Sequence, residues 1–455
     1  MQPQTLPPEL WDSIFSFLYD DRPASLRSCA GVNKQFSELV EKYLYRKVTI
    51  TNHGGLRAYP EAYSAEQMAK LLQNKPHISS YVRSLNIETY IFDTSIRIRS
   101  EKVLGHTISL FPKLTEISLS GCHHIMASWI IFHGEFQKSF AHILRLPTLE
   151  TLTIQDMRQF PLHLLDYCTS LKTLRLLRVQ AAMLGLHSPL ALPSPPAQGL
   201  SNLLTLELSK GVGADLGPLI FWFISPKTPS TISLKALHIH LTHLYDAPLI
   251  QLLLNSKPAD SVKSLYMNVN SQVRTVFHAN AYNELHRTSS PSNEQIWDLS
   301  SLTSLQTIEI SASIDFARVV SRYGSTILNA SYVLYSPIPW ITRLLEKPSL
   351  PLIQLRSVVI VLTLPLSIDA VLLLGKMDWK PLTDIIWLLA RRYSLRSVEI
   401  RLMTSSHQHF HGETVTHDVQ EILTMLEDNQ HLEMLIRKGI LKLNSSELAI
   451  TFPSN

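Results

Sequence analysis

Cysteine is nearly absent. The chain has 455 residues and three cysteines (Cys29, Cys122 and Cys168), odd in number and far apart. That argues against a disulfide framework and predicts reduced thiols in the cytoplasm or nucleus. Glycine is scarce too, at 15 residues, which disfavours glycine-rich loops that cradle phosphates. Charged residues make up only 17%, the net charge is +4, and no Lys/Arg run exceeds two residues, as at Arg391-Arg392. Such a chain lacks the electrostatic footprint of a nucleic-acid binder. Long apolar runs are missing as well. The most membrane-like stretch, 358–375, is broken by Pro365 and Asp369 and reads as a strand followed by a helix. The beginning of the chain has neither the basic nor the apolar region of a signal peptide, so a soluble intracellular protein with no membrane partner is expected. In such a protein the sequons at Asn329 and Asn444 carry no glycosylation meaning.

Catalytic signatures are also lacking. There is no P-loop, no G-x-S-x-G elbow and no H-E-x-x-H. Three histidine groupings have the right residue types for a metal: His407, His409 and His411; His238, His240 and His243; and Cys122 with His123 and His124. None has a second pair of ligands close in sequence, so exposed polar loops and strand faces explain them, and neither metal nor cofactor is expected. An enzyme with its pocket in the repeats stays open as a remote alternative and would need convergent, perturbed titrating groups.

What the chain has is apolar surface: 45% of its residues are hydrophobic. This length and composition argue against disorder and for more than one core or an extended repeat. Residues 1–47 read as three short helices. Pro7 and Pro8 suit a helix's first positions, where a missing N–H costs nothing. From Leu10 to Tyr19, 7 of the 10 residues are apolar or aromatic, so this helix is apolar around most of its circumference and needs cover on two sides. A second helix from Pro23 turns Leu26, Cys29 and Ala30 inward and ends at Gly31. A third spaces Phe36, Leu39, Val40, Tyr43 and Leu44 helically. Fewer than fifty residues cannot enclose the first helix. Its leftover surface packs on the rest of the chain or is offered to a partner.

Beyond residue 48 one phrase recurs: apolar-x-x-apolar-x-apolar. It stands at 82 (VRSLNIETY), 114, 149, 171, 203, 234, 262, 305, 355 and 395 (LRSVEIRLM). Each phrase alternates at period two, a strand with one buried face. Helix-like segments such as EAYSAEQMAKLL, DAPLIQLLLNS, TDIIWLLARRY and DVQEILTMLED lie between phrases. Units of this kind bury their apolar faces only by stacking, which predicts an α/β solenoid with a parallel concave sheet and helices on the convex side. Spacings of 22 to 50 residues make it irregular. The Asn or Cys that often follows such a strand is clear only at Cys122 and Asn270, so no asparagine ladder is expected. The Pro-rich 188–199 and polar 283–295 read as inserted loops.

The first forty-odd residues resemble the F-box, in the form abundant in fungi. Leu6-Pro7, Glu9-Leu10, Ile14-Phe15 and Leu18 fall at that motif's spacing, as do Leu26, Val32, Lys34 and Leu39. Asn33 and Phe36 stand where the family often has Cys and Trp. The remainder is similar to leucine-rich repeats. The resemblance implies two domains, an F-box at 1–47 and an irregular leucine-rich-repeat-like solenoid at 48–455. It implies a non-catalytic, substrate-recognition subunit of an SCF-type cullin-RING ubiquitin ligase. The F-box would dock on the small Skp adaptor, and through it on cullin, by Leu6, Pro7, Leu10, Ile14, Phe15, Leu18, Val32 and Lys34. The chemistry of ubiquitin transfer would belong to the partners. A scaffold of the same fold with no ligase role is the alternative.

In the solenoid reading, residues alternating with the buried ones line the concave sheet. His238, His240, Tyr266 and Asn268 bring aromatic and amide groups to adjacent strands there and are the candidate contact for a target protein.

Overall fold

A computed structural model describes residues 7–21, 23–51, 62–89, 94–121, 126–182, 199–210, 215–225, 232–241, 246–269, 297–323, 326–335, 337–346, 354–364, 377–404 and 419–445. Leu6, Cys122, His123, His124, His243, Asn270 and the histidines at 407, 409 and 411 lie outside them. So do 183–198, which hold all but the last residue of the Pro-rich insert, the whole polar insert at 283–295, and 365–376. The chain divides into two compact units: residues 1–203 with 213–232, and residues 204–212 with 233–455.

The first unit opens with α1 (Pro8–Asp21), α2 (Pro23–Ala30) and α3 (Lys34–Leu44). Phe15, Leu26, Val40 and Tyr43 form their common core. Trp11 lies 5.8 Å from Phe15 and 4.5 Å from Phe36, so one aromatic stripe of α1 packs on α3. Asn33 caps α3 by accepting from the Phe36 N–H at 2.8 Å. Glu41 of α3, only 8% exposed, is held by the Lys75 ammonium and by His77 at 3.0 Å. These two partners flank the start of the short helical turn Pro76–Ser80.

The strands of this unit are β1 (Lys47–Thr51), β2 (Tyr63–Ser64), β3 (Ser84–Glu88), β4 (Glu116–Ser120), β5 (Ala127–Ser128), β6 (Thr151–Phe160) and β7 (Thr173–Ala181). All pair in parallel. Leu85, Ile117, Leu152 and Leu174 stand in register, each fully buried. Helices α4 (Ala65–Asn74), α5 (Thr94–Ile108), α6 (Gly134–Ile143) and α7 (Gly217–Ile224) belong to the same unit. A capping box starts α4: Ser64 Oγ accepts from the Gln67 N–H, and Gln67 accepts from the Ser64 N–H.

The second unit holds β8 (Thr205–Ser209), β9 (Ala236–Leu241), β10 (Ser264–Val269), β11 (Thr307–Ser313), β14 (Ser357–Leu364), β15 (Ser397–Thr404) and β16 (Leu441–Ser445). They too are parallel, each paired with the next. Its helices are α8 (Ala247–Leu254), α9 (Ile338–Glu346), α10 (Lys380–Arg392), α11 (Val419–Glu427) and α12 (Gln430–Arg437). The carbonyl of the residue just before β8, β9, β10, β11 or β14 joins its repeat to the next. Lys235 O accepts from the N–H groups of Lys263 and Ser264, and Lys263 O from those of Gln306 and Thr307.

All ten recurring phrases are therefore strands. Three further features depart from the sequence reading. Strands β1, β2, β5 and β16 carry no recognised phrase. An antiparallel hairpin, β12 (Asp315–Tyr323) with β13 (Thr326–Tyr335), stands apart from the parallel strands. And β6 and β7 outrun their phrases through an irregularity between Met157 and Phe160. There Asp156, Gln159 and Arg178 take φ of 52°, 55° and 55°, in the left-handed region. The Arg178 guanidinium offsets that strain by clamping the Asp156 carboxylate with two 2.5 Å hydrogen bonds.

Candidate functional site

Helix α1 carries two apolar stripes. Trp11, Phe15 and Leu18 face α2 and α3. Leu10, Ile14 and Phe17, at i, i+4 and i+7, form the other, 49%, 39% and 66% exposed. At 1.5 Å per residue this stripe runs about 10 Å along the helix. Val32, in the turn before α3, is 64% exposed, and Lys34 and Pro7 are exposed as well. Full burial of such side chains is worth about 1.5–3 kcal/mol each, and a partner covering these half-exposed ones gains roughly half of that.

Two of the residues expected at the adaptor contact lie off this free stripe. Phe15 is 1% exposed and forms the centre of the three-helix core, and Leu18 is partly buried against the same core. Both stiffen the free stripe from behind instead of lying on it. The reason is the three-helix packing: Val40, Tyr43 and Leu26 select one of two equally apolar stripes as the inner one. Phe17, which the sequence reading left out, completes the outer one.

A second cluster lies in the second unit, on the polar face of its strands. Parallel register sets His238 beside Tyr266 and His240 beside Asn268. The His238 and Tyr266 rings stack with centroids 5.5 Å apart, and the His240 ring, tilted to that of Tyr266, lies 5.4 Å from it. His240 Nε2 lies 3.2 Å from Glu207 Oε1 on β8. Burial pushes the Tyr266 hydroxyl's pKa up, and the nearby Glu309 carboxylate adds to it. Burial likewise raises Glu309; Arg401 opposes this and Glu399 reinforces it.

The row continues across β14. Val359 and Val361 occupy its polar-face positions and are nonetheless buried. Arg401 on β15 grips Glu399 through two hydrogen bonds of 2.9 and 3.0 Å and reaches within 3.9 Å of Glu309, two strands away. Its side chain thus crosses β14 over those valines. The result is an aromatic and amide patch flanked by carboxylates, held on rigid strands. Among the described residues no group of three or more His, Cys, Asp or Glu could hold a metal ion. No helix among them is long and apolar enough to cross a membrane.

A short helical module with one stripe packed and one free, at the head of strand–helix repeats with parallel sheets, defines a docking domain joined to a leucine-rich-repeat-like α/β array. Residues 3–51 are an F-box-like domain, matching the family model of that name. No curated protein matches the chain. Solved structures similar to it include a Bacteroides fragilis protein, 11% identical, with a TM-score of 0.30, over 54% of this chain and 63% of that one. Another is an internalin from Listeria monocytogenes, also 11% identical, with a TM-score of 0.26, over 94% and 96%. The chain thus spans about two thirds of the length of the Bacteroides protein.

Proposed function

We propose that this chain is a substrate-recognition subunit of an SCF-type cullin-RING ubiquitin ligase. The F-box-like domain holds a Skp adaptor, and through it cullin, while the repeats hold a target protein. The observation that carries this reading is the free stripe Leu10, Ile14 and Phe17 on a domain whose family binds such adaptors. An apolar helix face laid into a partner's groove is a recurring docking mode. The aromatic and amide patch around Tyr266 has the composition of a protein-binding hot spot and is the proposed target contact. The chain itself supplies proximity and orientation, and the partners supply the chemistry.

Affinity purification of the full chain tests this. The wild type should bring down a Skp adaptor and cullin. A version lacking residues 1–47 should lose both and accumulate unmodified target. Recovery of neither adaptor nor cullin with the wild type would leave a repeat scaffold with no ligase role.

A further inference from the structure

The F-box-like helices and the leading ends of β1, β3 and β4 enclose a cleft of about 1230 Å³, wholly within the first unit. Its lining is basic. Lys42, Arg46, Lys47, Arg83 and Lys113 face two carboxylates, Asp12 and Glu116, so three positive charges are left over where the whole chain carries only +4. The sequence hides this concentration, because the five cations are spread over seventy residues and meet only through the topology. Arg46 and Arg83 precede neighbouring strands, about 4.8 Å apart, and Lys47 follows at once.

These charges are not consumed internally. Asp12 is already engaged by Lys42 at 2.9 Å. Arg83 is fixed by the carbonyls of Ser80 and Val82, at 2.7 and 3.1 Å, which orient its guanidinium without neutralising it. Among the described residues no carboxylate forms an ion pair with Arg46, Lys47, Arg83 or Lys113. One residue of the lining, Phe17, also belongs to the free apolar stripe of α1. A partner seated on that stripe reaches the cleft without a gap.

We propose that the cleft receives an acidic polypeptide segment of the partner that covers Leu10, Ile14 and Phe17. Its volume exceeds the roughly 300–1,000 Å³ of small-molecule sites, and its polar lining is unlike their mostly apolar walls. Carboxylates strung along an extended chain, about 6.6 Å apart on one side, match cations distributed over several strands. Charge at such a rim steers association and sets its salt dependence more than its final strength. The identity of the partner rests on the adaptor reading above; the acidity of the segment does not.

Two arms test it, both with the full chain. In the first, a fluorescein-labelled octaglutamate peptide is titrated by fluorescence polarisation. Saturable binding should weaken roughly tenfold between about 50 and about 300 mM salt. Lys47→Glu with Lys113→Glu should lose about tenfold or more, Lys47→Gln with Lys113→Gln several-fold with an unchanged melting temperature, and Leu10→Ala with Ile14→Ala nothing. No binding by the wild type, or equal binding by the glutamate variant, overturns the site. Displacement by inorganic pyrophosphate at lower concentration than by unlabelled peptide makes it a phosphate site and overturns the polypeptide. In the second arm, the association rate with a Skp adaptor should fall about tenfold in the glutamate variant at low salt and little at high salt. An unchanged rate beside intact octaglutamate binding assigns the segment to another partner. A wild type that binds no adaptor overturns the adaptor reading and the partner's identity, and the peptide arm then decides the cleft alone.

Discussion

His238 stacks on Tyr266 across neighbouring parallel strands, their ring centroids 5.5 Å apart and their planes inclined by 30°. The contact follows from register: equal positions of consecutive repeats stand side by side, so two aromatic residues at one phrase position must meet. With the His240 ring also in contact, 5.4 Å away, Tyr266 is pre-organised at little further entropic cost.

Changing His240 and Tyr266 together to Ala should therefore abolish most target capture. Adaptor binding and the melting temperature should stay near wild type, since both side chains lie on the polar face of their strands. Capture that survives this pair but fails when 188–199 is deleted would place recognition on the insert.

The buried faces of the strands answer to a different rule. Leu174 and Leu206 are each buried, with stacked neighbours on the adjoining strand. Leu→Ala at either should cost about 2–5 kcal/mol. Arg175→Ala, at the exposed neighbouring position, should cost less than about 1 kcal/mol. Denaturant unfolding of the three variants checks the register, and equal costs would contradict it.

Gly121 illustrates close approach. A Cβ there would stand 2.4 Å from the Asp156 carbonyl oxygen, a backbone atom at the left-handed position of β6. Gly121→Ala should lower stability by about 1–3 kcal/mol, as overpacking does. A melting temperature equal to wild type would show that the β6 irregularity yields easily.

Glu41 gives a pH dependence. Burial alone would raise its carboxyl pKa, but Lys75 and His77 outweigh burial and hold it below the ordinary 4.5. A carboxylate depressed in the folded state adds stability above its unfolded pKa and loses it as pH falls through the folded one. The wild type should therefore melt higher than Glu41→Gln at pH 7, and the difference should shrink progressively below pH 4.5. A difference that grows on acidification would contradict this ion-pair account.

Much of this architecture is legible in the sequence, and what is hidden is hidden for identifiable reasons. Each recurring phrase is a strand because period-two alternation with one buried face leaves little else. Strand β16 escaped because Lys438 holds the place where other phrases lead with an apolar residue, and β1 because Tyr45 leads it with an aromatic. The β12–β13 hairpin had a usable signal, the Gly324-Ser325 dipeptide between two alternating runs. Phe15 and Phe17 could not be told apart from α1 alone, since both stripes are apolar and only α2 and α3 decide between them. The basic cleft leaves no trace in any local window, because its cations come from two strand starts, a loop and a helix.

Calorimetric titration of the full chain with a Skp adaptor tests the central claim most directly, comparing wild type with Leu10→Ala plus Phe17→Ala and with Phe15→Leu. Interface anchors contribute about 2 kcal/mol or more, so the double variant should lose roughly thirty-fold or more in affinity while keeping its melting temperature. Phe15→Leu should instead lower stability and spare affinity at temperatures where it stays folded. Undiminished binding by the double variant, or no binding by the wild type, would contradict the account.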